Sequence, residues 1–145
     1  MERLIVGITG ASGTPLACHF IQQMKRYTDC ELHIVASKSA YLTAQYEDIA
    51  LFEDTLKLVD VVHDNASMGE SIASGTFKTC GMVIIPCSMK TVAGIASGYS
   101  DNLVLRAADV TLKEQRPLVL VARETPMSPI HLKNLSTLSM IPSVS

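Results

Sequence analysis

No stretch of this sequence approaches the ~20 consecutive apolar residues that span a bilayer, and no basic region with a cleavable apolar segment opens it. Positive charge is not in surplus: 12 Lys and Arg against 14 Asp and Glu leave a net charge of -2. That balance gives no support to a nucleic-acid or membrane partner, and a cytoplasmic location is expected. The four cysteines, at 18, 30, 80 and 87, form no Cys-x-x-Cys pair, which argues against a disulfide framework and a structural zinc. Cys18 and Cys80 are expected to pack as small hydrophobes, and packing is also favoured over chemistry for Cys87. The four histidines lack ligand spacing, so no metal is expected.

What is present is an apolar chain of one-domain length: 145 residues, 48% hydrophobic and 18% charged. Leu4–Ile8, Glu31–Ala36, Met82–Ile85 and Leu118–Val121 read as buried strands, with a further short strand expected in 56–62. Pro86 is expected to end the third of these confident strands. Helical patterns lie between them. Pro15 suits a first helical turn, and Leu16, Phe20, Ile21 and Met24 suit one buried face. Further helices are expected over 38–46, after Thr91, behind a cap at Tyr99-Ser100-Asp101, and over 130–138, with loop and one helical turn over 64–75. Nothing after Leu138 reads as a further strand or closing helix. Strands alternating with helices indicate a parallel, doubly wound α/β sheet, whose ligands bind beyond the carboxyl ends of the strands.

Four polar clusters fall at such ends: 9–14, 37–38, 87–91 and 123–125. Each hydroxyl alone is best read as a helix cap. Together, Ser12, Ser37, Ser88, Thr91 and Arg123 suit a mononucleotide phosphate held by hydroxyls, backbone N–H groups and one guanidinium. Gly7-x-x-Gly10-x-x-Gly13 is weak evidence by itself. A nicotinamide cofactor is disfavoured, because Ser37-Lys38 stands where an acidic ribose ligand is usual, and neither a Walker lysine nor a Tyr-x-x-x-Lys dyad occurs. Glu47 and Glu124 are the candidate acid–base groups, with Glu124 also placed to orient Arg123. Lys113 closes a helix, where the dipole favours a cation in any case.

Gly10-Ala11-Ser12-Gly13, Val35-Ala36-Ser37-Lys38, Ile85-Pro86-Cys87-Ser88-Met89-Lys90-Thr91, the run Arg106–Glu114 and the run Arg123–Leu132 resemble the UbiX-type flavin prenyltransferases. The likeness is greatest to the B subunit of bacterial phenolic (hydroxyarylic) acid decarboxylase systems. It covers residues 3–138, with Ala122 where the family usually has proline. The resemblance implies a flavodoxin-like Rossmann three-layer sandwich with a parallel central sheet. It implies a cytoplasmic flavoprotein, commonly dodecameric, that joins dimethylallyl from dimethylallyl phosphate to reduced FMN without a metal. The product, prenylated FMN, would serve a UbiD-type decarboxylase.

By position, Gly10, Ala11, Ser12, Ser37, Ser88, Met89, Lys90, Thr91 and Arg123 would bind FMN. Ser12 and Glu47 would assist proton transfer, and Lys113, Arg123 and Glu124 would meet the prenyl phosphate, with neighbouring subunits completing each pocket. Residues 1–138 are expected to form the FMN-binding domain, with 139–145 a non-matching end of a shortened chain. Two other functions stay open. One is a flavin-dependent decarboxylase of the peptidyl-cysteine or phosphopantothenoylcysteine type, which would need a catalytic histidine after an early helix. The other is a non-catalytic FMN-binding subunit.

Overall fold

The β-branched runs form the centre of the molecule. The computed structural model describes residues 2–145, so that Met1, the first residue of the expected domain, lies outside the described residues. Strands β1 (Arg3–Ile8), β2 (Glu31–Ala36), β3 (Val61–Asp64), β4 (Gly81–Cys87) and β5 (Leu118–Ala122) make one parallel sheet in the order β3-β2-β1-β4-β5. The chain starts in the middle, builds outward through β2 and β3, then crosses back over β1 to lay down β4 and β5. The crossing leaves a crevice at the carboxyl ends of β1 and β4, where such sheets bind ligands.

Side chains alternate across the pleat, so neighbouring strand residues feed different cores. Ile5, Met82 and Ile84 face one layer, formed by α4 (Met89–Ser97), α5 (Leu103–Lys113) and α6 (Pro129–Ser139). Val6, Ile8 and Ile34 face the other, formed by α1 (Thr14–Tyr27), α2 (Lys38–Glu47) and α3 (Ile49–Leu56). This is the flavodoxin-like three-layer sandwich. Among the described residues no helix is long and apolar enough to cross a membrane.

Several local expectations need correction. Residues 56–62 do not form the expected strand: α3 runs to Leu56, and β3 begins only at Val61. Asp48 caps α3 by accepting from Leu51 N, a signal that outweighs the mixed apolar pattern behind it. Pro86 does not end β4, which reaches Cys87. The missing N–H falls at a register irregularity between Ile84 and Cys87, where the ladder needs no donor. Of the expected α1 face, Leu16 is 51% exposed, whereas Ile21 is buried together with Ala17 and Cys18, and Phe20 and Met24 pack half-buried against the same core. Asn102, not the preceding triplet, caps α5 by accepting from Leu105 N. Cys80 is exposed, whereas Cys18, Cys30 and Cys87 are buried.

The last residues also take part in the sheet. Ser143 and Ser145 exchange three backbone hydrogen bonds with Leu118 and Leu120, and Val144 bridges Leu118 in parallel. The orphan edge of β5 is thus partly satisfied by the end of the chain.

Candidate functional site

The sheet's crevice opens into a cleft of about 460 Å³, within the size range of small-molecule sites. Its walls come from the turns after three strands: Thr9 and Gly10 after β1, Ser37 and Ser39 after β2, and Ser88, Lys90 and Thr91 after β4. Tyr99, Asp101, Asn102 and Leu105 close the side toward α5. Two glycines allow this closeness. A Cβ at Gly10 would come within 2.5 Å of Ser39 Cβ, and one at Gly94 within 2.9 Å of the Leu105 side chain.

Ser88 is the N-cap of α4, and its Oγ accepts from Thr91 N at 3.2 Å. Its hydroxyl also lies 2.9 Å from Thr91 Oγ1. Of these two hydroxyls, one donates to the other and one keeps its proton free for a ligand. The backbone N–H groups of Met89 and Lys90, in the first turn, have no intrahelical acceptor. Ser37 repeats the arrangement at α2: its Oγ accepts from Ala40 N at 3.1 Å, leaving its own O–H and the N–H groups of Lys38 and Ser39. The capping role foreseen is therefore real for Ser37 and Ser88, while Ser12 caps no helix and Thr91 lies inside α4. Capping is also compatible with anion binding, because a cap uses a lone pair and leaves the hydroxyl proton.

Thr9, which opens the 9–14 cluster but carried no role of its own in the sequence, holds this platform together. It is buried, its Oγ1 donates to Pro86 O at 2.8 Å, and the same oxygen accepts from Ser88 N at 2.8 Å. One hydroxyl thus fixes the end of β1 to the start of α4. A threonine directly after a buried strand was the only available signal.

The N-terminus of α1 is finished differently. Gly13, at φ 121°, gives no side-chain cap. Glu47, from the end of α2, supplies one: its carboxylate accepts from Gly13 N, Thr14 N and Thr14 Oγ1 at 3.1–3.3 Å. Pro15 has no N–H to offer. The glycine turn after β1 therefore presents a helix end that a carboxylate already occupies, with Ser12 exposed beside it. Thr43 Oγ1 donates to Gly10 O and ties α2 to the same turn.

The fourth cluster is not brought into this cleft. Arg123 and Glu124 follow β5 on the same edge of the sheet, but both are exposed and neither lines the cavity. Glu124 does not orient Arg123; its Oε1 accepts from Thr125 N. Lys113 ends α5 at the opposite edge of the sheet, because the helix runs away from the cleft that Asn102 lines. Met89 and Cys87 point into the core. Burial pushes the Cys87 thiol up to about 12, so it stays protonated and packs.

None of the four histidines lines the cleft. His33 and His63 are buried together, with Nδ1 of the first 2.9 Å from Nε2 of the second. Glu31 contacts His33 Nε2 at 2.7 Å. Glu70 lies 3.2 Å from His63 Nδ1 but without hydrogen-bond alignment. His131 completes the capping box of α6, and His19 is exposed.

A mononucleotide fits this geometry: the cleft offers two helix N-termini with free N–H groups, two capping serines and the Thr91 hydroxyl within one cavity of suitable size. The sequence profile of the Flavoprotein family matches residues 1–144. A probable UbiX-like flavin prenyltransferase of Sedimentibacter hydroxybenzoicus is 49% identical over 137 residues, covering 94% of this chain and 72% of the relative. The crystal structure of a dodecameric FMN-dependent UbiX-like decarboxylase from Escherichia coli O157:H7 superposes with a TM-score of 0.94 at 48% identity, covering 99% of this chain and 78% of the other. That of AnUbiX (PadA1), in complex with FMN and dimethylallyl pyrophosphate, gives 0.93 at 43%, covering 99% and 75%.

Proposed function

The chain belongs to the Flavoprotein family and, within it, to the UbiX-like flavin prenyltransferases, and on that footing we propose how its own residues make prenylated FMN. The reaction moves a dimethylallyl group from dimethylallyl phosphate to reduced FMN. The observation that carries the assignment of parts is the pair of open helix N-termini, α2 and α4, facing one cleft. Residues 1–138 form the flavin-binding unit, and 143–145, expected to lie outside it, add to its β5 edge.

Ser37 and one hydroxyl of the Ser88–Thr91 pair would donate protons to the FMN phosphate, the other hydroxyl of the pair holding the donor in place, and the N–H groups of Met89 and Lys90 would add two more donors. Gly10, Ala11 and Ser12 form the adjoining wall, with Lys90 at the rim. When bound, reduced FMN supplies the nucleophilic ring atoms that accept the allyl group. Ser12, next to the Glu47 carboxylate, moves the proton released there. The leaving phosphate needs fixed positive charge that does not reorganise as the bond breaks. Arg123, on the cleft edge of the sheet, is one such charge, with Glu124 beside it. Lys113 is too far from its own cleft and serves that of a neighbouring copy. The active form is accordingly a homo-oligomer, a dodecamer in our reading, in which adjoining subunits also exclude water from the allylic centre.

The product goes, in the cytoplasm, to a UbiD-type decarboxylase. Incubating the protein with reduced FMN and dimethylallyl phosphate, then weighing the extracted flavin, is the test: the flavin gains one C5H8 unit. Flavin that is retained but never alkylated would leave a non-catalytic FMN-binding subunit. The decarboxylase alternative lacks support, since no histidine reaches the cleft.

A further inference from the structure

At the edge of the sheet opposite the cleft, three chemically active side chains converge from widely separated parts of the chain. Glu2 precedes β1, Cys30 precedes β2 and Cys80 precedes β4, and these are adjacent strands. Backbone bonds pin all three segments: Glu31 N donates to Glu2 O, and Cys80 N donates to Arg3 O, each at 2.8 Å. One carboxylate oxygen and the two sulfurs lie within 4.8 Å of one another.

The convergence depends on one backbone feature. The register pairs Arg3 with Glu31 and Leu4 with Gly81, so a regular strand would align Cys80 with Arg3, on the face away from Glu2 and Cys30. Gly81 has φ 147°, which breaks the alternation and brings Cys80 to their side. A Cβ at Gly81 would meet Pro117 O at 2.6 Å, so only glycine makes this turn. Arg3, the neighbouring cation, is turned instead toward Glu31 and the Phe77 ring.

We propose that Glu2, Cys30 and Cys80 form a three-ligand site for a thiophilic divalent cation of the Zn2+ type. Two thiolates and a carboxylate are a donor set that Zn2+ takes and that Mg2+ and Ca2+ do not. Tetrahedral ligation with Zn–S of about 2.3 Å places two sulfurs about 3.8 Å apart, a distance that rotamer adjustment reaches. Cys80 and Glu2 are exposed, so the ion has an entry path and a fourth position open to water. Desolvation, then the adjacent Cys30 and Glu2, raises the Cys80 thiol above its ordinary value. A cation reverses that balance, and its binding displaces thiol protons. Sequence spacing hid the site, because Cys30 and Cys80 become neighbours only through strand order.

The proposal is independent of the flavin reading. The reduced, chelator-treated full chain is titrated with Co2+, whose visible absorption reports tetrahedral sulfur ligation, and then with Zn2+ as competitor. One ion should bind per chain, with tighter binding at higher pH. Cys80→Ser, at an exposed position, should weaken binding by about 100-fold, and Glu2→Gln by about tenfold. Cys18→Ser should leave binding unchanged, and FMN titrations should not respond to the ion. Absence of a one-to-one transition, or a transition that survives Cys80→Ser in protein with native circular dichroism, overturns the proposal.

Discussion

The N-termini of α1 and α4 stand on the same sheet edge, each following one of the two central strands, yet they are finished in opposite ways. At α1 a carboxylate from 34 residues away takes the free N–H groups. At α4 a local serine takes one N–H and leaves two more, plus a hydroxyl proton, toward the cleft. Both solutions satisfy the helix end. Only the second leaves capacity for an external anion. The difference explains why a glycine-rich turn after a first strand is weak evidence of phosphate binding. The turn creates a helix N-terminus, and the rest of the chain decides whether it stays open.

The largest effect should come from removing the open end. Ser88→Ala with Thr91→Ala deletes the free hydroxyl proton of the pair and the hydroxyl that orients it, a charge-assisted hydrogen bond worth roughly 2.5 kcal/mol, so flavin-fluorescence titration should show FMN affinity down about 70-fold. Retained affinity would mean the phosphate does not sit at α4. Ser88→Gly, which costs the helix only a few tenths of a kcal/mol, separates ligand loss from capping loss. Next, Thr9→Val keeps shape and strands the Ser88 N–H. Denaturant unfolding should report a loss of about 1–3 kcal/mol, and FMN affinity should fall about tenfold.

Cys87 precedes the same helix end but is held neutral by burial, from an ordinary value of 9.0 to about 12. Below pH 9 the thiol is neutral folded or unfolded. Above it only the unfolded chain ionises, so stability should fall by about 1.4 kcal/mol per pH unit between 9 and 12. Cys87→Ala should flatten that part of the slope. The smallest effect belongs to the closed end. Glu47→Gln should cost about 0.5–1 kcal/mol in thermal or denaturant stability while FMN affinity stays within twofold. A tenfold change in affinity would show that α1 shares the phosphate after all.

Much of this was legible in advance because the relevant signals are local. A buried β-branched run, a polar cluster at its end and a serine before a helical pattern are written in adjacent residues, as at Ile84 to Thr91. What could not be read depends on side chains that act across the sheet. Nothing near Glu47 in sequence says that it caps α1, and nothing near Thr9 says that it bridges to Ser88. The placement of Lys113 and Arg123 failed to converge with the other clusters for a related reason. A strand-end argument counts strands but not helix direction, and α5 carries Lys113 to the far edge. The misread strand over 56–62 shows the reverse problem, where Asp48 set a helix that periodicity alone could not distinguish.

The Thr9 bridge also bears on when the cleft can exist. Its partners are 77 and 79 residues away, so the bridge waits for the pairing of β1 with β4, after β2 and β3 have been made and crossed. Closing so long a segment is among the slower events in folding an all-parallel sheet. The flavin site is therefore assembled late, and FMN meets only chains that have completed the centre of the sheet. Ligand that binds the finished state alone acts on escape from it. FMN in the buffer should slow the unfolding limb of a chevron plot and leave the refolding limb where it was.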